Sequence, residues 1–128
     1  MMTKENKELL LKELCSRLPY GVKYQTYLGD IFTLKDITLS RASTQYYIDD
    51  NAFSLSQIKP YLRPMSSITQ EERIFYNNAN LDGEFGYNQY FKIPAIDIID
   101  WLNSHHFDYR GLIEKGLALE APENMYKF

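Results

Sequence analysis

Val22-Lys23-Tyr24-Gln25-Thr26-Tyr27-Leu28-Gly29-Asp30-Ile31-Phe32-Thr33-Leu34-Lys35-Asp36-Ile37-Thr38-Leu39 is the stretch whose reading decides the fold class. Its β-branched and aromatic residues suit a pleated, half-buried surface. Gly29-Asp30 is turn chemistry, so residues 22–28 and 31–39 read as two strands of a hairpin. The second strand carries a conflict. Phe32 and Leu34 share one parity, whereas Ile37 and Leu39 share the other. A β-bulge would bring both pairs onto one face. Residues 44–48 read as a third strand, closed by Asp49-Asp50-Asn51.

On the N-terminal side, residues 4–18 read as a helix that Thr3 can cap. Leu10, Leu14 and Leu18 recur every four residues, with Leu11 and Cys15 beside them, which makes an apolar stripe. Lys7, Glu8, Lys12 and Glu13 form its expected wet side, and Pro19-Tyr20-Gly21 stops it. Membership of the stripe makes Cys15 a small buried hydrophobe rather than a nucleophile.

On the C-terminal side, Pro60 and Pro64 forbid a regular helix across Ser56-Gln57-Ile58-Lys59-Pro60-Tyr61-Leu62-Arg63-Pro64. A short turn followed by an extended segment is expected, with Ile58, Tyr61 and Leu62 packed inward. The proline spacing is not that of a polyproline ligand. Thr69-Gln70-Glu71-Glu72 is a capping box opening a helix over 70–79. Asp82-Gly83 reads as a turn and 84–93 as a strand or ordered loop. Pro94 suits the first turn of a helix. Ala95, Ile98, Ile99 and Leu102 carry that helix to Ser104, with Asp97 and Asp100 in water and Trp101 at the core edge. A short helical turn over 112–115 should end at Gly116. Leu117, Ala118 and Leu119 then pack, and 120–128 reads as a tail. The expected architecture is a single α+β domain spanning residues 1–128. In it a small antiparallel sheet packs against the N-terminal helix and two further helices.

Composition narrows the class. The chain has 128 residues, 45% of them hydrophobic, enough for one core without staples. Its single cysteine allows no intrachain disulfide and suits a reducing compartment such as the cytoplasm. The opening residues, Met1-Met2-Thr3-Lys4-Glu5-Asn6-Lys7-Glu8, are polar where a secretory signal would be apolar. The longest apolar runs are a few residues, against about 20 for a membrane span. With 14 Lys and Arg against 17 Asp and Glu, and no long basic run, duplex nucleic acid is not an expected partner. The chain holds 11 Tyr and 7 Phe. These aromatics suit strand and core packing, and tyrosine also suits a protein-recognition surface.

The polar constellation that stands out is His105-His106-Phe107-Asp108-Tyr109-Arg110-Gly111. It holds both histidines and follows a helix. One reading is a binding site formed by His105, His106, Asp108, Tyr109 and Arg110. There Arg110 would grip a phosphate or carboxylate in bidentate fashion, with a histidine as donor. The other reading is a connector. In it Asp108 caps the following turn and pairs with Arg110, and His105 binds the last carbonyls of the preceding helix. The connector is favoured. No further His or Cys completes a metal set, so neither metal nor cofactor is expected. A Cys15–His dyad would need Cys15 to leave its stripe. Glycine-rich phosphate loops, nucleophile elbows and calcium loops are all missing from the sequence. No catalytic residue is assigned.

Two segments carry a resemblance. They are Ile58-Lys59-Pro60-Tyr61-Leu62-Arg63-Pro64-Met65-Ser66-Ser67-Ile68-Thr69 and Asp100-Trp101-Leu102-Asn103-Ser104-His105-His106-Phe107-Asp108-Tyr109-Arg110-Gly111-Leu112-Ile113-Glu114-Lys115-Gly116-Leu117-Ala118-Leu119-Glu120-Ala121-Pro122. Together they cover about a quarter of the chain. They resemble a group of small uncharacterised proteins encoded by phages, prophages and mobile elements of gut anaerobic bacteria. The resemblance implies an accessory protein of a mobile element and carries over no activity or site residue. The expected function is therefore non-enzymatic binding of a protein partner, a host or phage factor. The alternative is a binding or sequestering protein for a nucleotide or other small anion.

Overall fold

The computed structural model describes residues 2–40, 45–50, 52–76 and 95–126. Helix α1 (Lys4–Arg17) starts at Thr3, whose Oγ1 accepts from the Asn6 amide at 3.1 Å. A 3₁₀ turn (Leu18–Tyr20) and Gly21, in the left-handed region at φ 68°, turn the chain into the sheet. Strands β1 (Lys23–Thr26) and β2 (Ile31–Thr33) form the antiparallel hairpin, with Tyr24 opposite Phe32. Strands β3 (Ile37–Leu39), β4 (Tyr46–Ile48) and β5 (Phe53–Ser54) follow. After a second 3₁₀ turn come β6 (Ile58–Leu62) and, near the end of the described chain, β7 (Leu119–Glu120). Helical backbone over residues 70–76 is α2, and Ala95–Ser104 is α3. The fold is α+β. Readings that fall on Thr44, Asn51, 77–94 and 127–128 lie outside the described residues.

The expected strands divide between two sheets. One has the order β2-β1-β6-β7 and the other β3-β4-β5. All pairings are antiparallel except β6 with β7, which run parallel. The parity conflict in 31–39 is resolved by a break rather than a bulge. The chain leaves the first sheet after Thr33, passes through Leu34-Lys35-Asp36, and re-enters extended structure in the second sheet.

Asp49 holds that break. Its Oδ1 accepts from the Lys35 and Asp36 amides at 2.8 and 3.2 Å. Its Oδ2 accepts a short hydrogen bond from the Tyr24 hydroxyl in the first sheet. Burial and this bond push the Tyr24 phenol well above its ordinary pKa. Asp49 and Asp50 take φ of 50° and 59°, a left-handed conformation that Asp tolerates better than most residues.

Pro60 lies in an interior strand, normally a poor place for proline. The Tyr27 amide donates to Gln57 O at 2.8 Å, which sets the alternation of bonded pairs between β1 and β6. Tyr24–Pro60 is therefore a non-hydrogen-bonded pair, and the missing N–H faces the side on which β7 pairs only from Tyr61 onward.

The main core joins Leu10 and Leu14 of α1 to Val22, Tyr24, Ile48, Ile58, Leu62 and Leu112. A smaller cluster joins Ile98, Leu102 and Phe107, with Trp101 at its edge as expected. Four expectations are corrected. The inward face of α1 is Leu10, Glu13, Leu14 and Arg17, spaced i, i+3, i+4 and i+7. Glu13 is therefore buried, and Cys15 is exposed. Ile99 lies on the wet side of α3. Residues 112–116 form hydrogen-bonded turns rather than helix, ended by Gly116 at φ 75°. Residues 119–126 are not a tail: they supply β7 and then Tyr126, whose hydroxyl accepts from the Lys23 amide at 2.9 Å and donates to Tyr61 O at 2.7 Å.

Asp49→Ala should lower stability by about 3 kcal/mol, because three hydrogen bonds and a left-handed residue's local tolerance go together. Asp49→Asn, which keeps an acceptor oxygen and the same backbone tolerance, should cost less than half as much. Urea unfolding of both variants checks this.

Candidate functional site

The segment 105–110 is held by the chain on every side. Arg63 N donates to His106 O at 2.7 Å and Asp108 N donates to Arg63 O at 2.8 Å, which extends β6 by one parallel bridge. The Phe107 ring is fully buried, with the Arg63 guanidinium carbon 4.2 Å from its centroid and Trp101 at 5.8 Å. Its carbonyl accepts a short hydrogen bond from Arg17 of α1.

Each residue singled out from the sequence has a separate task. Asp108 caps the next turn: Oδ1 accepts from Leu112 N at 2.8 Å and Oδ2 from Ile113 N at 2.9 Å. Arg110 does not pair with Asp108. Two amide donors already occupy that carboxylate, and Arg110 Nε instead stands 2.9 Å from Glu13 Oε1. Tyr109 donates to Asn103 Oδ1 at 2.9 Å, and its ring centroid is 5.4 and 5.3 Å from the guanidinium carbons of Arg17 and Arg110. His105 Nδ1 lies 3.1 Å from Trp101 O, the helix-end contact expected of a connector, and its Nε2 lies 3.9 Å from Glu72 Oε2. His106 turns the opposite way at φ 62° and stacks on Tyr126 with centroids 3.6 Å apart. Burial, then the nearby Arg17, hold the His106 imidazole down to a pKa of about 3, so it is neutral at pH 7. The five residues thus diverge from one another and do not converge on a common point.

Two ion pairs beside this segment were not legible in the sequence. Glu13 and Arg17 are buried one helical turn apart, with Arg17 Nε 3.0 Å from Glu13 Oε2. The sequence shows them as an ordinary i, i+4 pair of the kind that decorates wet helix faces. Arg63 meets Glu72 with two bonds of 2.8 Å. Glu72 also completes the expected capping box, accepting from Thr69 N at 2.9 Å. The Arg63 bonds, chiefly, hold the Glu72 carboxyl down at about 2.

Among the described residues no group of three or more His, Cys, Asp or Glu is placed to hold a metal ion. No described helix is long and apolar enough to cross a membrane. Open cavities among the described residues include the following two. One of 470 Å³ is lined by Arg63, Thr69, Glu120, Glu123 and Tyr126, and one of 290 Å³ by Lys4, Lys7, Glu8, Tyr46 and Leu55. Arg110 lines neither of these.

The surface stands out at the β1–β2 hairpin. Tyr27 and Leu28 at its tip are 65% and 67% exposed, and Ile31 and Phe32 on β2 are 49% and 45% exposed. Behind them Tyr24, Phe32, Phe53 and Tyr27 form an aromatic cluster with centroid separations of 6.0 to 6.5 Å. The tip is thus a large apolar surface on a firm base. The sequence signal was the run of aromatics itself, which could equally have been core.

No protein-family model, curated protein or solved structure matches the chain.

A double-mutant cycle should report coupling between Arg110 and Glu13 of about 0.5–3 kcal/mol, and less between Arg110 and Asp108. Arg17→Ala should cost about 3–5 kcal/mol, because it takes one of two guanidiniums from the buried Glu13 carboxylate and the donor from the buried Phe107 carbonyl. Chemical denaturation of the four single variants and both doubles measures all of this.

Stability should also fall in acid by two separable steps. The folded pKa of His106 lies below its unfolded value, so the unfolded chain binds the extra proton between about pH 6.5 and 3. Stability is then lost as pH falls, by at most about 1.4 kcal/mol per pH unit. Glu72 has the same sign, with its loss between about pH 4.5 and 2. His106→Asn, which tolerates the positive φ, should flatten the first limb, and Glu72→Gln the second.

Proposed function

We propose that this chain is a non-enzymatic accessory protein of a phage or mobile element that binds a protein partner, a host or phage factor, in the cytoplasm. The observation that carries the reading is the exposed apolar hairpin: Tyr27 and Leu28 at its tip, and Ile31 and Phe32 on the two faces of β2, are all exposed, and Tyr27 and Phe32 both pack on Phe53. Patches of this kind on soluble proteins mark interaction sites, and tyrosine supplies large contact area at low entropic cost. A non-enzymatic role is supported by how the polar residues are spent. Asp108 caps, Arg110 neutralises Glu13, His105 faces its own helix end, and His106 is buried against Tyr126. The resemblance of 58–69 and 100–122 to mobile-element proteins supports the context, and the single cysteine suits a reducing interior. The anion-binding alternative has less support, because Arg110 stands at ion-pair distance from a buried carboxylate and outside both cavities.

Affinity capture from the native host with the wild-type chain and with a Tyr27→Ser, Leu28→Ser double variant tests the proposal. The double variant should keep its stability within about 0.5 kcal/mol, since both side chains are exposed. It should bind a stoichiometric protein partner at least about 30-fold more weakly, the loss of one hot-spot residue. Equal recovery of that partner by both chains would reject the hairpin as the binding surface.

A further inference from the structure

Strand β2 is the outer strand of its sheet. The Thr26 amide donates to Asp30 O at 2.8 Å and the Leu34 amide to Val22 O at 2.9 Å. This alternation makes Tyr24–Phe32 a hydrogen-bonded pair and turns the N–H and C=O of Ile31 and Thr33 outward. No hydrogen bond from the described residues reaches those outward groups. Natural edge strands are commonly blunted by inward charges, prolines or bulges. In β2 (Ile31-Phe32-Thr33) none of these is present, and two of its three side chains are exposed hydrophobics.

The charges along the edge are ordered. At the Thr33 end the Lys23 ammonium is held over β2 by a 3.1 Å bond to Thr33 Oγ1, and exposed Lys35 follows two residues on. At the Ile31 end stands exposed Asp30. Phe32 lies on the face opposite Lys23 and Thr33, packed on Tyr24 and Phe53, and Asp30, opposite Thr26 in the ladder, has the parity of Phe32.

We infer that the partner adds an extended strand to the open edge of β2, antiparallel to it, with an acidic side chain beside Lys23, an apolar one beside Phe32 and a basic one beside Asp30. This rests on the reading of the hairpin as a protein-binding surface and specifies how it binds. Backbone bonds to Ile31 and Thr33 supply the attachment, and the alternate side chains supply the selectivity. The antiparallel sense is that of every other pairing β1, β2 and β6 make with one another. In that sense an acidic residue opposite Thr33 precedes the basic one opposite Asp30 by three positions, with apolar residues opposite Phe32 and Ile31 between them.

The test uses the synthetic peptide acetyl-Val-Glu-Val-Val-Lys-Val-amide and its charge-swapped form, acetyl-Val-Lys-Val-Val-Glu-Val-amide, titrated into the ¹⁵N-labelled chain. The first should shift the amides of 27–35 and slow exchange at Ile31 and Thr33, and it should bind at least about fivefold more tightly than the second. Lys23→Glu, a change at a half-buried position on the sheet's outer face, should reverse or abolish that preference without unfolding the chain. Thr33→Pro, which removes one outward N–H, should abolish binding of both peptides. Shifts confined to another surface, or no preference between the peptides, would overturn the inference. So would a concentration-dependent dimer that protects the same two amides, since it would make a second copy the occupant. If the Tyr27→Ser, Leu28→Ser variant loses its captured partner while Thr33→Pro and Lys23→Glu keep it, strand addition fails and the hairpin reading stands. If all three keep it, both fail.

Discussion

Arg17 is the constraint on which the rest of the molecule depends. It is a fully buried guanidinium at the last turn of α1, bonded to Glu13 on its own helix and to the Phe107 carbonyl far along the chain. Desolvating a guanidinium is costly unless the charge is balanced in place, and Glu13 provides that balance. The arrangement fixes where 105–110 crosses α1. From there the Phe107 ring reaches Arg63 at the end of β6, and Arg63 reaches Glu72 at the start of α2. Two arginines thus grip one residue, one by its carbonyl and one by its ring, and so connect α1, β6, α2 and the turn after α3.

At this connector Arg17, Arg63, Tyr109 and Arg110 each meet a different set of partners inside the fold. Exposed apolar surface is found in the β1–β2 hairpin, whose outer strand has one neighbour among the described residues.

Elements governed by local chemistry were legible in the sequence. The Thr3 cap, the Thr69–Glu72 capping box, the Gly29-Asp30 turn, the helix ending at Ser104 and the Asp108 cap all follow from residues within five positions of one another. What failed was long-range. The leucine stripe of α1 holds for Leu10, Leu14, Leu18 and Leu11, but Cys15 is exposed and Glu13 and Arg17 are buried, their charges met by Arg110 and the Phe107 carbonyl from the far end of the chain. Arg110 next to Asp108 suggested a local pair, yet the cap on Leu112 and Ile113 uses that carboxylate first. The parity conflict in 31–39 was read correctly as a conflict and resolved wrongly as a bulge. The device that allows the chain to change sheets, Asp49, bonds to residues up to 25 positions away. No periodicity within a short window contains that information.

Strand β6 sits between a neighbour that precedes it and one that follows it by almost half the chain. While the chain is being synthesised, β1 is present to cover one side of β6, but β7 and Tyr126 are not yet made. The other side of β6 therefore waits open during synthesis. Pro60 lies on that side with no N–H to offer, and so removes a donor from the exposed edge for as long as the wait lasts. A proline that reads as a flaw in the finished sheet is thus a safeguard for the unfinished one, lowering the chance that a nascent chain pairs with its neighbour before it can pair with itself.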